Sequence, residues 1–213
     1  MLKAPNLAEL RWLTHGFGQR DSVYPAQITT VRQIHSDIVI EATTPGGDRI
    51  ADGDAVVSNQ PGVVVGIRTA DCVPVLLADM RTRAVASIHA GWRGSAAAIV
   101  TGAVEALVRK YGSRPEDLVA AVGPSIGVCC YEVGADVAGQ FGVWLPELDG
   151  ATGSKQLDLK KVNELQLRRA GVRSVWVAGH CTYCEAEQYF SFRREREQAG
   201  RMLSYIGTVG EGP

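Results

Sequence analysis

Two kinds of apolar spacing alternate along the chain. "GVVVGIRTADCVPVLLAD" (62–79) and "AVASIHAG" (84–91) are nearly continuous apolar runs, the pattern of strands buried on both faces. "DLVAAVGPSIGVCC" (117–130) reads as a further buried strand running into a Gly/Pro turn, and "SVWVAGHC" (174–181) as another strand. The β-branched stretch "AQITTVRQIHSDIVIEA" (26–42) predicts a strand pair or one long bent strand. Elsewhere the spacing becomes helical: Val100, Val104, Leu107, Val108 and Tyr111 mark one face of residues 95–111, and the run stops at Gly112. Residues 158–171, "DLKKVNELQLRRAG", predict a second amphipathic helix ending in glycine. Strands alternating with helices predict an α/β sandwich. The polar "TPGGDRIADGD" is a loop, and no repeat, low-complexity tract or interdomain linker interrupts the pattern.

Composition narrows the partners. A chain of 213 residues, 46% hydrophobic, suits one domain over residues 1–213 with a sizeable core. The net charge is -1 and no basic run stands clear of acids, so neither nucleic acid nor a membrane surface is expected as a partner. Arg193-Arg194-Glu195-Arg196 reads as a solvated helix face. No apolar stretch reaches the roughly 18 residues of a membrane helix. "MLKAPNLAELRWLTHGF" lacks a signal peptide's apolar core, so a cytoplasmic address with reduced thiols is expected. Five cysteines, an odd number, argue against a disulfide framework. Each thiol is then a packed residue, a ligand or a nucleophile.

Chemistry concentrates at strand ends. Asp71-Cys72 breaks one apolar run, and His89 ends the next, just before Gly91-Trp92-Arg93-Gly94. Ligand sites on α/β sheets gather at such ends. A thiol and an imidazole on neighbouring strand ends have two uses. They form a nucleophile pair, with imidazole lowering the thiol pKa. Alternatively, with His35 of "RQIHSD" as third ligand, they hold a metal: thiolate plus two imidazoles suits Zn²⁺ and leaves one tetrahedral position open. Gly91 and Gly94 permit a tight turn, Ser95 is placed to cap the following helix, and Arg93 adds a guanidinium fork suited to an anion. Cys129 and Cys130 read as packed thiols, because alternate faces of one strand cannot both reach one site. "HCTYC" (180–184) carries a C-x-x-C but lacks the second pair of a zinc ribbon. His15 lines the site or packs.

"HGFGQR", "RQIHSDIV", "RTADCVPVLLAD", "IHAGWRG", "GPSIGVCCYEVG", "CTYCEAEQYFSFRRE" and "GRMLSYIG" occur in this order across nearly the whole chain. In these segments the sequence resembles the laccase-domain family, also called YfiH-like or polyphenol-oxidase-like proteins, which includes the peptidoglycan editing factors. The resemblance implies a three-layer α/β sandwich with a mixed sheet, shared with the catalytic domain of cytotoxic necrotising factor, a cysteine deamidase. It also implies a zinc site on His35, Cys72 and His89. Members are described as purine nucleoside enzymes, performing phosphorolysis of adenosine, inosine or methylthioadenosine or adenosine deamination. Others are described as copper oxidases of phenols or as amidases correcting a peptidoglycan precursor. One segment departs from the family: between "HGFGQR" and "RQIHSD" only "DSVYPAQITTV" stands where relatives carry a longer insert.

Metal chemistry ranks these activities. A His₂Cys set suits copper electron transfer, but a multicopper mechanism needs many imidazoles and the chain has four histidines. Zinc hydrolytic or group-transfer chemistry fits better. In that scheme Asp71 orients a ligand or shuttles a proton, phosphate docks at the 91–95 turn with Arg93 and Ser95, and Arg68 and Arg193 are further anion-binding candidates. The expected partner is a purine nucleoside with phosphate, acting on a monomer. A Cys72 nucleophile with His89 as base is the second mechanistic class, and a pure binding role the third.

Overall fold

The computed structural model describes residues 1–150 and 152–209. Its strands are β1 (Leu13–Gly16), β2 (Thr29–Thr30), β3 (Val39–Glu41), β4 (Ala55–Ser58), β5 (Val64–Thr69) and β6 (Val73–Asp79). They continue as β7 (Val85–Ala90), β8 (Leu118–Val122), β9 (Glu132–Val133), β10 (Lys155–Gln156), β11 (Ser174–Val177) and β12 (Met202–Thr208). The α-helices are α1 (Pro5–Ala8), α2 (Trp92–Ala96), α3 (Ile99–Tyr111), α4 (Ala135–Ala138), α5 (Leu159–Arg169) and α6 (Phe192–Glu195).

The fold is mixed α/β. A six-stranded sheet runs β11-β8-β6-β7-β4-β3 and a four-stranded sheet runs β1-β12-β5-β2, while β9 and β10 form a two-stranded ribbon. Both larger sheets are mixed: β3 with β4, β8 with β11 and β2 with β5 are parallel, and the remaining pairs are antiparallel. Three layers are present, and two of them are sheets. Helices α3 and α5 cover one face of the large sheet, and the small sheet covers the other.

Period-two alternation explains the double burial. On β6, Val73, Val75 and Leu77 join the core beneath α3 and α5, where Leu107, Val162 and Leu167 are buried. Leu76 and Ala78 point the other way, into a second core with Val65, Ile206 and Phe17 between the sheets. A strand apolar on both faces is what the continuous runs anticipate.

Four expectations change in detail. Residues 26–42 yield two short strands in different sheets, because His35 between them adopts φ 60, outside the extended region. The 62–79 run likewise divides between the two sheets at Asp71, where φ is 84. The helix expected over 95–111 is broken at Ala98, φ 57, and starts earlier, at a cap formed by Gly91 rather than Ser95. Within α3 the Leu107 face is buried as expected, but Val108 is 38% exposed. Gly112, at φ 65, ends α3, and Asp158 caps α5 by accepting the Lys161 N–H at 2.9 Å.

Candidate metal centre

His35, Cys72 and His89 converge. One ligand atom from each lies within 4.8 Å of the others, and the two imidazole rings meet edge to face at 5.0 Å. Each arrives by a different route. His89 ends β7, paired with Pro74 of β6. Cys72 lies on the link between β5 and β6. His35 lies in the loop between β2 and β3.

A buried acid that the sequence reading passed over, Asp54, organises both histidines. It is 0% exposed and accepts the backbone N–H groups of Ile34 (3.2 Å), His35 (3.0 Å) and Ser36 (2.6 Å), and the Ser36 hydroxyl (2.7 Å). Three successive N–H groups thus wrap one carboxylate, and this fixes the left-handed turn at His35. The same carboxylate lies 2.8 Å from His89 Nδ1. Burial pushes Asp54 up, but the His89 imidazole and the Ser36 donors outweigh it and hold the carboxyl down to about 2. With Asp54 ionised, a proton is held on His89 Nδ1, so Nε2 is the nitrogen that gives up its proton to bind a ligand.

The thiol is equally prepared. Burial pushes Cys72 up, yet the imidazoles of His89 and His35 bring it down to about 6. Burial lowers His89, and Cys72 and Asp54 together raise it to about 9. Thiol and imidazole thus favour each other's charged forms, and a divalent cation can take the place of the imidazolium proton beside the thiolate.

Gly91 supplies the space. A Cβ at this position would lie 3.2 Å from Cys72 Sγ, 3.3 Å from His35 Cδ2 and 3.8 Å from His89 Cε1. Any other residue would press on Cys72 and His35 and touch His89, so the donor set and the room around it fit a metal ion.

Asp71 lies beside the triad, 8% exposed, but its carboxylate is already engaged. It accepts Thr182 Oγ1 at 2.7 Å, Ser191 Oγ at 3.0 Å and the Arg193 N–H at 2.6 Å, while its carbonyl accepts the Ile126 N–H at 3.0 Å. Its side chain thereby fixes the turn that presents Cys72.

The triad opens into a cavity of about 680 Å³ bordered by Arg32, Arg49, Arg68, Arg193, Arg196 and Arg201, with Asp71 the only acid lining it among the described residues. Arg32 pairs with Asp52 and Arg68 with Asp48. Among the described residues the other four make no salt bridge. Tyr131 and Phe192 add aromatic surface to the same cavity.

Of the expected anion-binding residues, Arg68 and Arg193 line this cavity, and Arg93 and Ser95 do not. Arg93 is exposed, its guanidinium 4.3 Å from the Trp92 ring centroid. Ser95 is fully buried, its hydroxyl accepting Asn163 Nδ2 at 2.9 Å. His15 packs away from the site, accepting the Ala4 N–H at 3.0 Å. The 193–196 run is not a solvated face. Arg194 donates to the carbonyls of Thr182, Tyr183 and Tyr189, and Arg193 and Arg196 border the cavity. Cys129 and Cys130 correct a second expectation: they lie in a turn rather than a strand, and both thiols meet those of Cys181 and Cys184.

Residues 16–209 match the family model described as multi-copper polyphenol oxidoreductase laccase. A purine nucleoside phosphorylase of Deinococcus radiodurans is 43% identical over 182 residues, covering 83% of this chain and 68% of that protein. Adenosine deaminase RL5, from an unknown prokaryotic organism, is 38% identical over 161 residues, covering 72% of this chain and 61% of that protein. The crystal structure of YfiH from Bacillus licheniformis superposes with a TM-score of 0.84 at 27% identity, covering 98% of both chains.

Proposed function

The chain belongs to the laccase-like family, and from that premise we propose that it is a zinc-dependent purine nucleoside enzyme. Its reaction is phosphorolysis of adenosine, inosine or methylthioadenosine, adenosine deamination, or both. The observation that carries this reading is the opening of the His35–Cys72–His89 triad into a cavity rich in arginine and bearing two aromatic rings. The names of the relatives support it: one is a purine nucleoside phosphorylase and another an adenosine deaminase.

Zinc, when bound, supplies a Lewis acid able to make water nucleophilic near pH 7. The chain's own residues do the rest. Asp54 keeps the His89 proton on Nδ1 and sets the His35 turn, so both imidazoles are aimed before the metal arrives. The arginines hold phosphate against the sugar's anomeric carbon, where its oxygen replaces the departing base. Tyr131 and Phe192 offer ring surface to the base. Copper binds a His₂Cys set as well. The described residues nevertheless offer no cluster of several imidazoles for multicopper oxidation, because His15 is hydrogen-bonded to Ala4 and His180 to Glu185. The five free thiols support a cytoplasmic address.

A second reading, a cysteine hydrolase using Cys72 with His89, is favoured by one observation, the placing of the Cys72 thiol against the His89 and His35 imidazoles, which lower it. One experiment separates the two. Zinc-loaded, copper-loaded and metal-free protein are assayed on adenosine, inosine and methylthioadenosine, with and without phosphate. The proposal expects turnover only with zinc: base release that requires phosphate marks phosphorolysis, and inosine formed without phosphate marks deamination. Equal turnover by metal-free protein supports the cysteine reading, and no nucleoside turnover in any form refutes the proposal.

A further inference from the structure

Strands β8 and β11 are parallel neighbours, in register from Ser174 opposite Val119 to Val177 opposite Val122. Parallel strands deliver the loops at their C-terminal ends to one edge of the sheet. A bridge between Ser125 and Cys181 continues the pairing into those loops. Cys129 and Cys130 are in the first loop and Cys181 and Cys184 in the second, so two pairs distant in sequence become one cluster. All four Sγ atoms lie within 4.8 Å of one another, with Cys129 to Cys184 at 3.8 Å and Cys130 to Cys184 at 3.3 Å. All four are free thiols. A tetrahedral zinc with Zn–S bonds of about 2.3 Å places its sulfurs about 3.8 Å apart.

The backbone around Cys181 Sγ offers a donor and room. The Gly127 N–H donates to Cys181 Sγ at 3.2 Å. Gly127 also leaves room for the sulfurs, because a Cβ there would lie 3.2 Å from Cys129 Sγ and 3.3 Å from Cys181 Sγ. Lys160, anchored by the carbonyls of Ala178 (3.0 Å) and His180 (2.9 Å), places a cation beside Cys181 and Cys129.

We propose that Cys129, Cys130, Cys181 and Cys184 bind a Zn²⁺ ion in a closed tetrahedral structural site, separate from the His35–Cys72–His89 centre. Binding exchanges the thiol protons for the metal and releases them to solvent, with no change of oxidation state. The site ties together the two loops that hold the cavity wall. Ile126 from the first and Thr182 from the second both bond Asp71, the residue before Cys72, and Tyr131 leaves the first loop to line the cavity. The ion's role is to keep that wall in place, and the four sulfurs leave no position for substrate.

The test is zinc stoichiometry of the full-length protein, purified under reducing conditions and equilibrated with zinc. Native mass spectrometry and elemental analysis should both give two zinc ions per chain for the wild type. Cys72→Ala should retain one, and cobalt-loaded Cys72→Ala should show a thiolate-to-cobalt charge-transfer band that disappears in Cys72→Ala/Cys184→Ser. If the double variant does not fold, Cys72→Ala alone decides. A zinc-free Cys72→Ala, or the absence of its cobalt–thiolate band, overturns the proposal. Because the readout is the variant lacking the cavity ligand, failure of the nucleoside reading leaves it untouched.

Discussion

Replacing Gly91 with alanine adds one methyl group to the metal centre and little else. The backbone at Gly91, φ -70 and ψ 174, is open to alanine, so no dihedral strain confuses the result. The new carbon would sit 3.2 Å from Cys72 Sγ and 3.3 Å from His35 Cδ2. Comfortable contact begins at about 3.5–4.0 Å, so the ligands must retreat by about 0.3 Å or more. Metal sites tolerate errors of about 0.2 Å in ligand distance. We therefore expect zinc affinity at this centre to fall about 10- to 100-fold, or about 1.4–2.7 kcal/mol. Losing glycine at the cap of α2 costs a further ~0.5–1 kcal/mol of fold stability. The assay is competition against a chromogenic zinc chelator, run on protein already carrying Cys184→Ser so that one centre is read. Far-UV circular dichroism should be unchanged. Gly102→Ala is the control: it meets nothing within 4 Å and lies inside α3, so it should leave zinc affinity alone and raise stability by ~0.5–1 kcal/mol. Wild-type affinity in Gly91→Ala would refute the claim that this glycine is there to leave room for the ligands.

Three further outcomes are expected. Asp54→Asn keeps the shape but turns an amide NH₂ toward one group of donors, so urea melts should show a loss of about 3 kcal/mol and zinc affinity should drop about 10- to 100-fold. Phosphate dependence distinguishes two anion-binding elements: Arg196→Ala, on the cavity, should raise the phosphate requirement about 10- to 150-fold, and Arg93→Ala, outside it, should not. The reverse ranking places phosphate on the 91–95 turn. The third concerns His15, lowered from 6.5 to about 4, first by burial and then by Lys3. The unfolded chain binds this proton more readily, so the stability it confers is complete above pH 6.5 and is lost as pH falls toward 4. Between pH 7 and 5 the wild type should lose about 2 kcal/mol more than His15→Gln, and parallel pH profiles would disprove the burial argument.

The convergence of His35, Cys72 and His89 was legible because each stands at a break in a strong local pattern. Cys72 interrupts an apolar run, and His89 ends one. Asp54 was not legible. Its function is to collect three N–H groups from residues 34–36 and one from an imidazole 35 positions on, and no local spacing records that. Ser95 misled for a complementary reason. A serine before an apolar helix reads as a cap, but the chain enters the helix at Gly91, leaving Ser95 inside to meet Asn163. The double cysteine was assigned to a strand by its apolar neighbours, although Gly127 already marked the turn that lets both thiols face one way. The Arg193 run looked like surface because charge density says nothing of which carbonyls, such as Thr182 and Tyr189, await a guanidinium.

Two links carry the chain from the small sheet to the large one at this edge, β2 to β3 and β5 to β6, and each bears a ligand, His35 on the first and Cys72 on the second. An ion held there with His89 of β7 would act as a rivet through both sheets, and its occupancy would set how often the sandwich opens. At free metal one hundred times the Kd, the closed form gains about 2.7 kcal/mol over any state in which the sheets have parted. Amide hydrogens of β5 and β12, on the small sheet, should therefore exchange up to about 100-fold more slowly once metal is added, wherever exchange requires the sheets to separate.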